Sequence, residues 1–258
     1  MLTGVDCTDN SAMPIDLLVF LVTAFVAALV AGVAGFAFGL VAAAIWLQIL
    51  TPLQTTTLIV VYGLLVQGYA VWKLRHAIDV ERLLPLLIGG QIGIPFGVVL
   101  LDRVPASEMR AAIGVFLIVF SLYSLFRPKL APVAGERRLA DGGIGILSGI
   151  VGGATGLAGI VPTVWASLRG WTKDEQRAVF QPIAVAIFAG SLLWLGGTAS
   201  FDRHTLVLLV IGLPAVLAGS WVGLRLYGHL SEAVFRRIVL ILLLFAGASL
   251  IVQLRHCF

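Results

Sequence analysis

Apolar runs without Asp, Glu, Lys, Arg or His alternate with short polar links along this chain. The longest covers residues 17–72, and 83–101, 111–126, 142–168, 178–201, 205–224 and 238–254 follow. A helix that crosses a bilayer needs about 20 mostly apolar residues. The first run holds two crossings and the other six hold one each. The pattern therefore predicts an all-α membrane protein with about eight transmembrane helices. No stretch shows the short apolar/polar alternation of a membrane β-barrel.

Two apolar segments are over-long, Ile15 to Leu50 and Leu139 to Leu168. Each carries a glycine pattern near its middle: Gly35-Phe36-Ala37-Phe38-Gly39 and Gly152-Gly153-Ala154-Thr155-Gly156. Glycine is a poor helix-interior residue and lets the backbone unwind. In lipid, unwound backbone survives only where protein or a water-filled cavity covers it. One reading is a helix, an unwound stretch and a second, shorter helix. The other is a tilted helix, with Gly35/Gly39 and Gly152/Gly156 acting as small-xxx-small contact pairs. Duplication and excess length favour the break.

A second echo supports duplication. Gly93-x-x-x-Gly97 with Leu101, Arg103 and Arg110 matches Gly219-x-x-x-Gly223 with Tyr227, His229 and Arg236. The polar stretch 127–141 is the connector, which leaves residues 1–126 and 142–258 as two four-helix repeats. The first helix of each repeat is the over-long one. Four crossings per half is an even number, so the repeats are expected to be parallel. Extra residues in the second half fall in the loop Arg169–Arg177.

Composition agrees with the pattern. The chain of 258 residues is 60% hydrophobic and 12% charged, against roughly 25% charge in a soluble domain. The N-terminus carries Asp6, Asp9 and Asp16 but no basic residue, unlike a signal peptide. Cys7 and Cys257 lie at opposite ends, and no Cys/His cluster has metal-ligand spacing. Neither a metal nor a cofactor is expected. The basic residues are scattered through short loops, as membrane topology requires, so nucleic acid is not a partner.

No predicted span carries a charge at its centre. Arg225 comes closest and reads as an interfacial anchor. The polar groups left inside are neutral: Thr55, Thr56 and Thr57, Gln91 with Pro95, Thr155, and Gln181-Pro182. Helix N-termini present free N–H groups and a partial positive charge, and hydroxyls and amides add directed donors. Such a set can hold a small anion without a buried cation. Helix capping and kink packing account for the same residues equally well. Gln48 and Gln67 read as structural or interfacial. The six tryptophans, Trp46, Trp72, Trp165, Trp171, Trp194 and Trp221, read as interfacial belt residues. Phe36 and Phe38 sit inside the first glycine pattern, as gate or as core.

These features together resemble the TauE/SafE sulfite exporter family over nearly the whole chain. The resemblance rests on Gly32-Val33-Ala34-Gly35-Phe36-Ala37-Phe38-Gly39, on Gly149-Ile150-Val151-Gly152-Gly153-Ala154-Thr155-Gly156, on Phe180-Gln181-Pro182 and on the two Gly-x-x-x-Gly segments. It implies export of sulfite or a small organosulfonate. The two phenylalanines of the first glycine pattern make its pocket shape differ from that of the second.

The expected function is secondary transport of a small sulfur anion held at mid-membrane between the repeats. The candidate binding residues are Gly35, Phe36, Phe38, Gly39, Thr55, Thr56, Gln91, Gly152, Gly153, Thr155, Gly156, Gln181 and Pro182. A passive anion channel is the alternative. An intramembrane serine protease is disfavoured: Ser148 precedes Gly149, but position 146 is Ile and no histidine lies in a span to act as base. Expected partners are the anion, the lipid of a bacterial inner membrane and a second copy of the chain.

Overall fold

A computed structural model describes residues 12–34, 37–74, 80–126, 138–169, 171, 173–196, 202–226, 240–241, 243–245 and 247–252. All regular structure among them is helical. In chain order the helices are α1 (Ala12–Ala34), α2 (Phe38–Ile49), α3 (Pro52–Leu74), α4 (Val80–Arg103), α5 (Ala106–Phe126), α6 (Arg138–Thr155), α7 (Ile160–Leu168), α8 (Lys173–Leu195) and α9 (Arg203–Leu226). A further apolar helix runs over Leu243–Val252. Spans within α1, α4, α5, α8 and α9 are long and apolar enough to cross a membrane. The chain is a multi-pass integral membrane protein. Helix α6 begins inside the stretch expected as connector and takes Asp141 into its first turn.

Both over-long segments turn back on themselves. Phe20 of α1 stacks on Trp46 of α2 with ring centroids 4.9 Å apart. In one straight helix, residues this far apart in sequence would be separated by about 39 Å. Likewise Trp165 of α7 donates its indole N–H to Asp141 of α6 at 2.7 Å, where a continuous helix would hold them about 36 Å apart. The short helices α2 and α7 thus return alongside α1 and α6.

Glycine seams hold the bundle. The most extensive helix pairs are α4 with α6 and α1 with α9. Gly89, Gly93 and Gly97 of α4 lie against the backbone of Gly142, Ile146 and Ile150. From α6, Gly145, Gly149 and Gly153 lie against the carbonyls of Leu86, Gly90 and Ile94. A methyl group at Gly93 or Gly149 would overlap a facing carbonyl oxygen. Close backbone approach of this kind supplies packing energy in lipid, where the hydrophobic effect between helices is lost. In the α1–α9 seam, Gly212, Gly219 and Gly223 lie against Phe20, Phe25 and Leu29, and Gly32 faces Gly223.

The order of these contacts sets helix direction. Both seams advance together along their two chains, so α1 runs parallel to α9, and α4 to α6. Helix α3 follows α9, since Gln54 meets His204 and Tyr62 bonds Leu208 and Leu209. Helix α8 follows α4, since Gln91 bonds Ala186 and Ile94 meets Gly190. Five residues link α3 to α4, a reach of at most about 18 Å. Gly63, near the middle of α3, meets Phe188, while Gly90 of α4 meets the adjacent Ile187. Those two levels coincide only if α3 and α4 are antiparallel. Helices α1, α3 and α9 therefore oppose α4, α6 and α8. Helices α1 and α6 thus run in opposite senses, whereas the parallel repeats expected from an even number of crossings would have them run the same way.

Trp46 is a second correction. It is fully buried, 0% exposed, and belongs to the core rather than to an interfacial belt. Trp72, Trp194 and Trp221 are more than half exposed, in keeping with a belt, and the Arg225 guanidinium lies 3.8 Å from the Trp221 ring centroid.

Candidate functional site

Helix α3 starts with a complete stop-and-start signal. Pro52 occupies its first position, where the missing N–H costs nothing. Thr51 and Gln54 form a reciprocal capping box: the Gln54 N–H donates to Thr51 Oγ1 at 3.2 Å, and the Thr51 N–H to Gln54 Oε1 at 3.3 Å. The cap is therefore Thr51, and Thr55, Thr56 and Thr57 lie within the helix. Thr57 bonds its own helix through the Leu53 carbonyl at 2.8 Å. Thr56 reaches across to the Ala154 carbonyl at 3.3 Å. Thr55 is buried, and its hydroxyl has no hydrogen-bond partner among the described residues.

The reversal between α6 and α7 lies directly beside this turn of α3. Gly156 has φ +73°, a left-handed conformation that glycine adopts without steric cost. Its N–H donates to the Gly152 carbonyl at 2.8 Å. Thr155 closes the helix end twice, donating to Val151 O at 2.6 Å and accepting from the Leu157 N–H at 3.2 Å. Ser148 donates to the Ala158 carbonyl at 2.7 Å and pins the returning strand of backbone to α6. Its hydroxyl is committed to that bond, as a structural group would be. A methyl group on Gly156 would sit 2.7 Å from Ile59 Cγ2. A methyl group on Gly39 would sit 3.2 Å from the Gly156 carbonyl and 3.0 Å from a Leu157 methyl.

The start of α2, the first turns of α3 and the 156–159 link therefore converge. Of the candidate residues, Gly39, Thr56, Gly152, Thr155 and Gly156 gather there. Phe38 borders them as core, 1% exposed, with its ring edge-on to Trp46 and Tyr62 at 6.2 Å each. Gly153 lies instead on the α4–α6 seam, and Gln91 on the α4–α8 seam, where its amide donates to Ala186 O at 2.9 Å. Gln181 is buried on α8 beside the half-buried Pro182. Gly35 and Phe36 lie outside the described residues.

Three further groups take structural roles around these elements. Arg110 donates to the Leu50 carbonyl at 3.1 Å, which places a cation at the negative end of α2. Tyr62 donates to the carbonyls of Leu208 and Leu209 at 2.8 and 3.0 Å. Asp202 caps α9 by accepting the Thr205 N–H at 2.8 Å. Hydrogen bonding from Thr205, whose N–H is the donor in place, holds the Asp202 carboxyl below the usual carboxylate range. Apart from Asp141, the fully buried polar side chains of the described core are neutral, and no metal-binding group of His, Cys, Asp or Glu occurs among the described residues. Among the described residues the site offers directed neutral donors and main-chain dipoles rather than a cation.

The sequence model of the family described as Sulfite exporter TauE/SafE matches residues 20–250. No curated protein and no solved structure matches the chain.

Proposed function

The chain belongs to the TauE/SafE sulfite exporter family, and we propose that it exports sulfite or a small organosulfonate through a site at the meeting point of α2, α3 and the α6–α7 link. Membership makes the protein a membrane transporter of sulfite or a related anion. The finer reading draws its main support from one observation: Gly39, Thr56, Ile59 and the Gly156–Leu157 backbone lie against one another. Two reversals and a capped helix start bring main-chain groups into the interior of the bundle, where irregular backbone is otherwise costly. The opposed senses of α1 and α6 fit two inverted repeats whose interface holds the substrate.

Export needs no coupling carboxylate at the site. Moving one negative charge out of a negative-inside cell releases about 2.3 kcal/mol per 100 mV. That sustains roughly a fifty-fold gradient of a monoanion, since about 1.4 kcal/mol is a factor of ten. The test is flux of sulfite and sulfoacetate in proteoliposomes with an imposed potential. Saturable flux that follows the potential is expected. Flux indifferent to voltage and to pH refutes the reading, and unsaturable flux at channel rates replaces the carrier with a pore.

A further inference from the structure

We propose that the indole N–H of Trp46 donates a hydrogen bond to an oxygen of the transported anion; the inference rests on the reading above and adds a residue to its site. Trp46 is 0% exposed, and its Nε1 has no acceptor among the described residues. A buried N–H without an acceptor is costly, and native interiors leave few of them. The ring cannot readily turn away to find another acceptor. Phe20 stacks on it at 4.9 Å, and Phe38 and Tyr62 hold its flanks at 6.2 and 6.1 Å. The hydroxyl of the neighbouring Tyr62 is committed to the α9 carbonyls of Leu208 and Leu209.

A second unpartnered group lies close by in the fold. Thr55 is 1% exposed, its hydroxyl has no partner among the described residues, and it stands two turns before Tyr62 on the same face of α3. Helix α2, which carries Trp46, packs on α3. Two neutral donors on adjoining helices, Trp46 in the last turn of α2 and Thr55 in the first turn of α3, thus lack an acceptor among the described residues. The chemistry of the indole is selective. It donates, never accepts, and carries no charge at any working pH. It therefore suits an oxygen of a small oxyanion, to which its hydrogen bond is stronger than to the neutral acid.

The experiment is sulfite binding to purified protein by calorimetry, comparing the wild type with Trp46→Phe. Phenylalanine keeps the aromatic packing and removes only the N–H and part of the ring. The expected result is a Kd for sulfite raised about tenfold or more, the loss of one charge-assisted hydrogen bond, with thermal stability in the absence of anion unchanged or higher. An unchanged Kd overturns the inference and leaves the transport reading standing. A wild type that binds neither sulfite nor sulfoacetate overturns both. If Trp46→Phe does not fold, the wild type labelled with ¹⁵N at its indoles decides: one indole N–H resonance moves downfield and saturates with sulfite, whereas six static resonances overturn the inference.

Discussion

Trp165 and Asp141 are 24 residues apart in sequence, yet the indole N–H of one donates to the carboxylate of the other at 2.7 Å. The bond ties the last turns of α7 to the first turn of α6 and so closes the open end of the second hairpin. Asp141 is only 9% exposed, and this indole is the one donor found for it among the described residues. Trp165→Phe keeps the ring and removes the donor. A hydrogen bond to a buried charged group contributes about 1.5–3 kcal/mol, and losing it exposes the carboxylate's full desolvation cost. The expected outcome is a lower unfolding temperature in detergent. Trp165→Phe combined with Asp141→Leu should recover part of the loss, because the orphaned charge is gone.

The two glycine environments of α6 make opposite predictions. Gly149 faces the Gly90 carbonyl so closely that a methyl group has no room, whereas nothing lies within 4 Å of a methyl group at Gly143. Gly149→Ala should separate α4 from α6 and lower the yield of folded protein. Gly143→Ala should be neutral or stabilise the helix by up to about 1 kcal/mol, the helix-propensity difference. Thermal unfolding of the two purified variants checks the pair; equal melting temperatures would contradict the seam.

Much of this fold was legible in the apolar runs, because helix length in lipid is set by bilayer thickness. The family was legible too, since its glycine and Phe180-Gln181-Pro182 signals survive in one sequence. Chain reversal was not. An apolar run such as 15–50 reads alike whether the helix continues or folds back, and only the Phe20–Trp46 stack discloses the turn. The opposed senses of α1 and α6 were hidden for that reason. Four-residue glycine spacing was ambiguous in the same way: Gly149 and Gly153 serve a helix seam, while Gly152 and Gly156 lie at a reversal. The burial of Trp46 was hidden because tryptophans near segment ends usually mark the interface, and here the segment end is folded inward.

Gly156 carries two constraints that mutation can separate. Its φ of +73° penalises any side chain, by about 1–2 kcal/mol for an L-residue in the left-handed region. Its position against Ile59 leaves no space for a methyl group. Gly156→Ala should therefore reduce both stability and sulfite flux. Adding Ile59→Ala relieves the overlap but not the backbone strain. The double variant should regain some stability, measured by thermal unfolding, without regaining wild-type flux. Full recovery of flux would show that space alone matters at this link.

Thr51 supplies the last test, since it fixes where α3 begins. Its hydroxyl accepts the Gln54 N–H, and Gln54 in turn accepts the Thr51 N–H. Thr51→Val keeps the shape and removes the cap oxygen, at a cost of about 1 kcal/mol within a range of roughly 0.5–2. The free end of α3 then frays by one turn, and the turns carrying Thr55 and Thr56 lose their fixed position relative to the Ala154 carbonyl. A helix start that only stabilises the bundle would lower the melting temperature and leave transport kinetics alone. A helix start that positions the substrate also raises the half-saturating sulfite concentration. Thr51→Ser, which retains the cap oxygen, should restore both quantities together. Proteoliposome flux measured over a range of sulfite concentrations distinguishes these outcomes, and the second is expected.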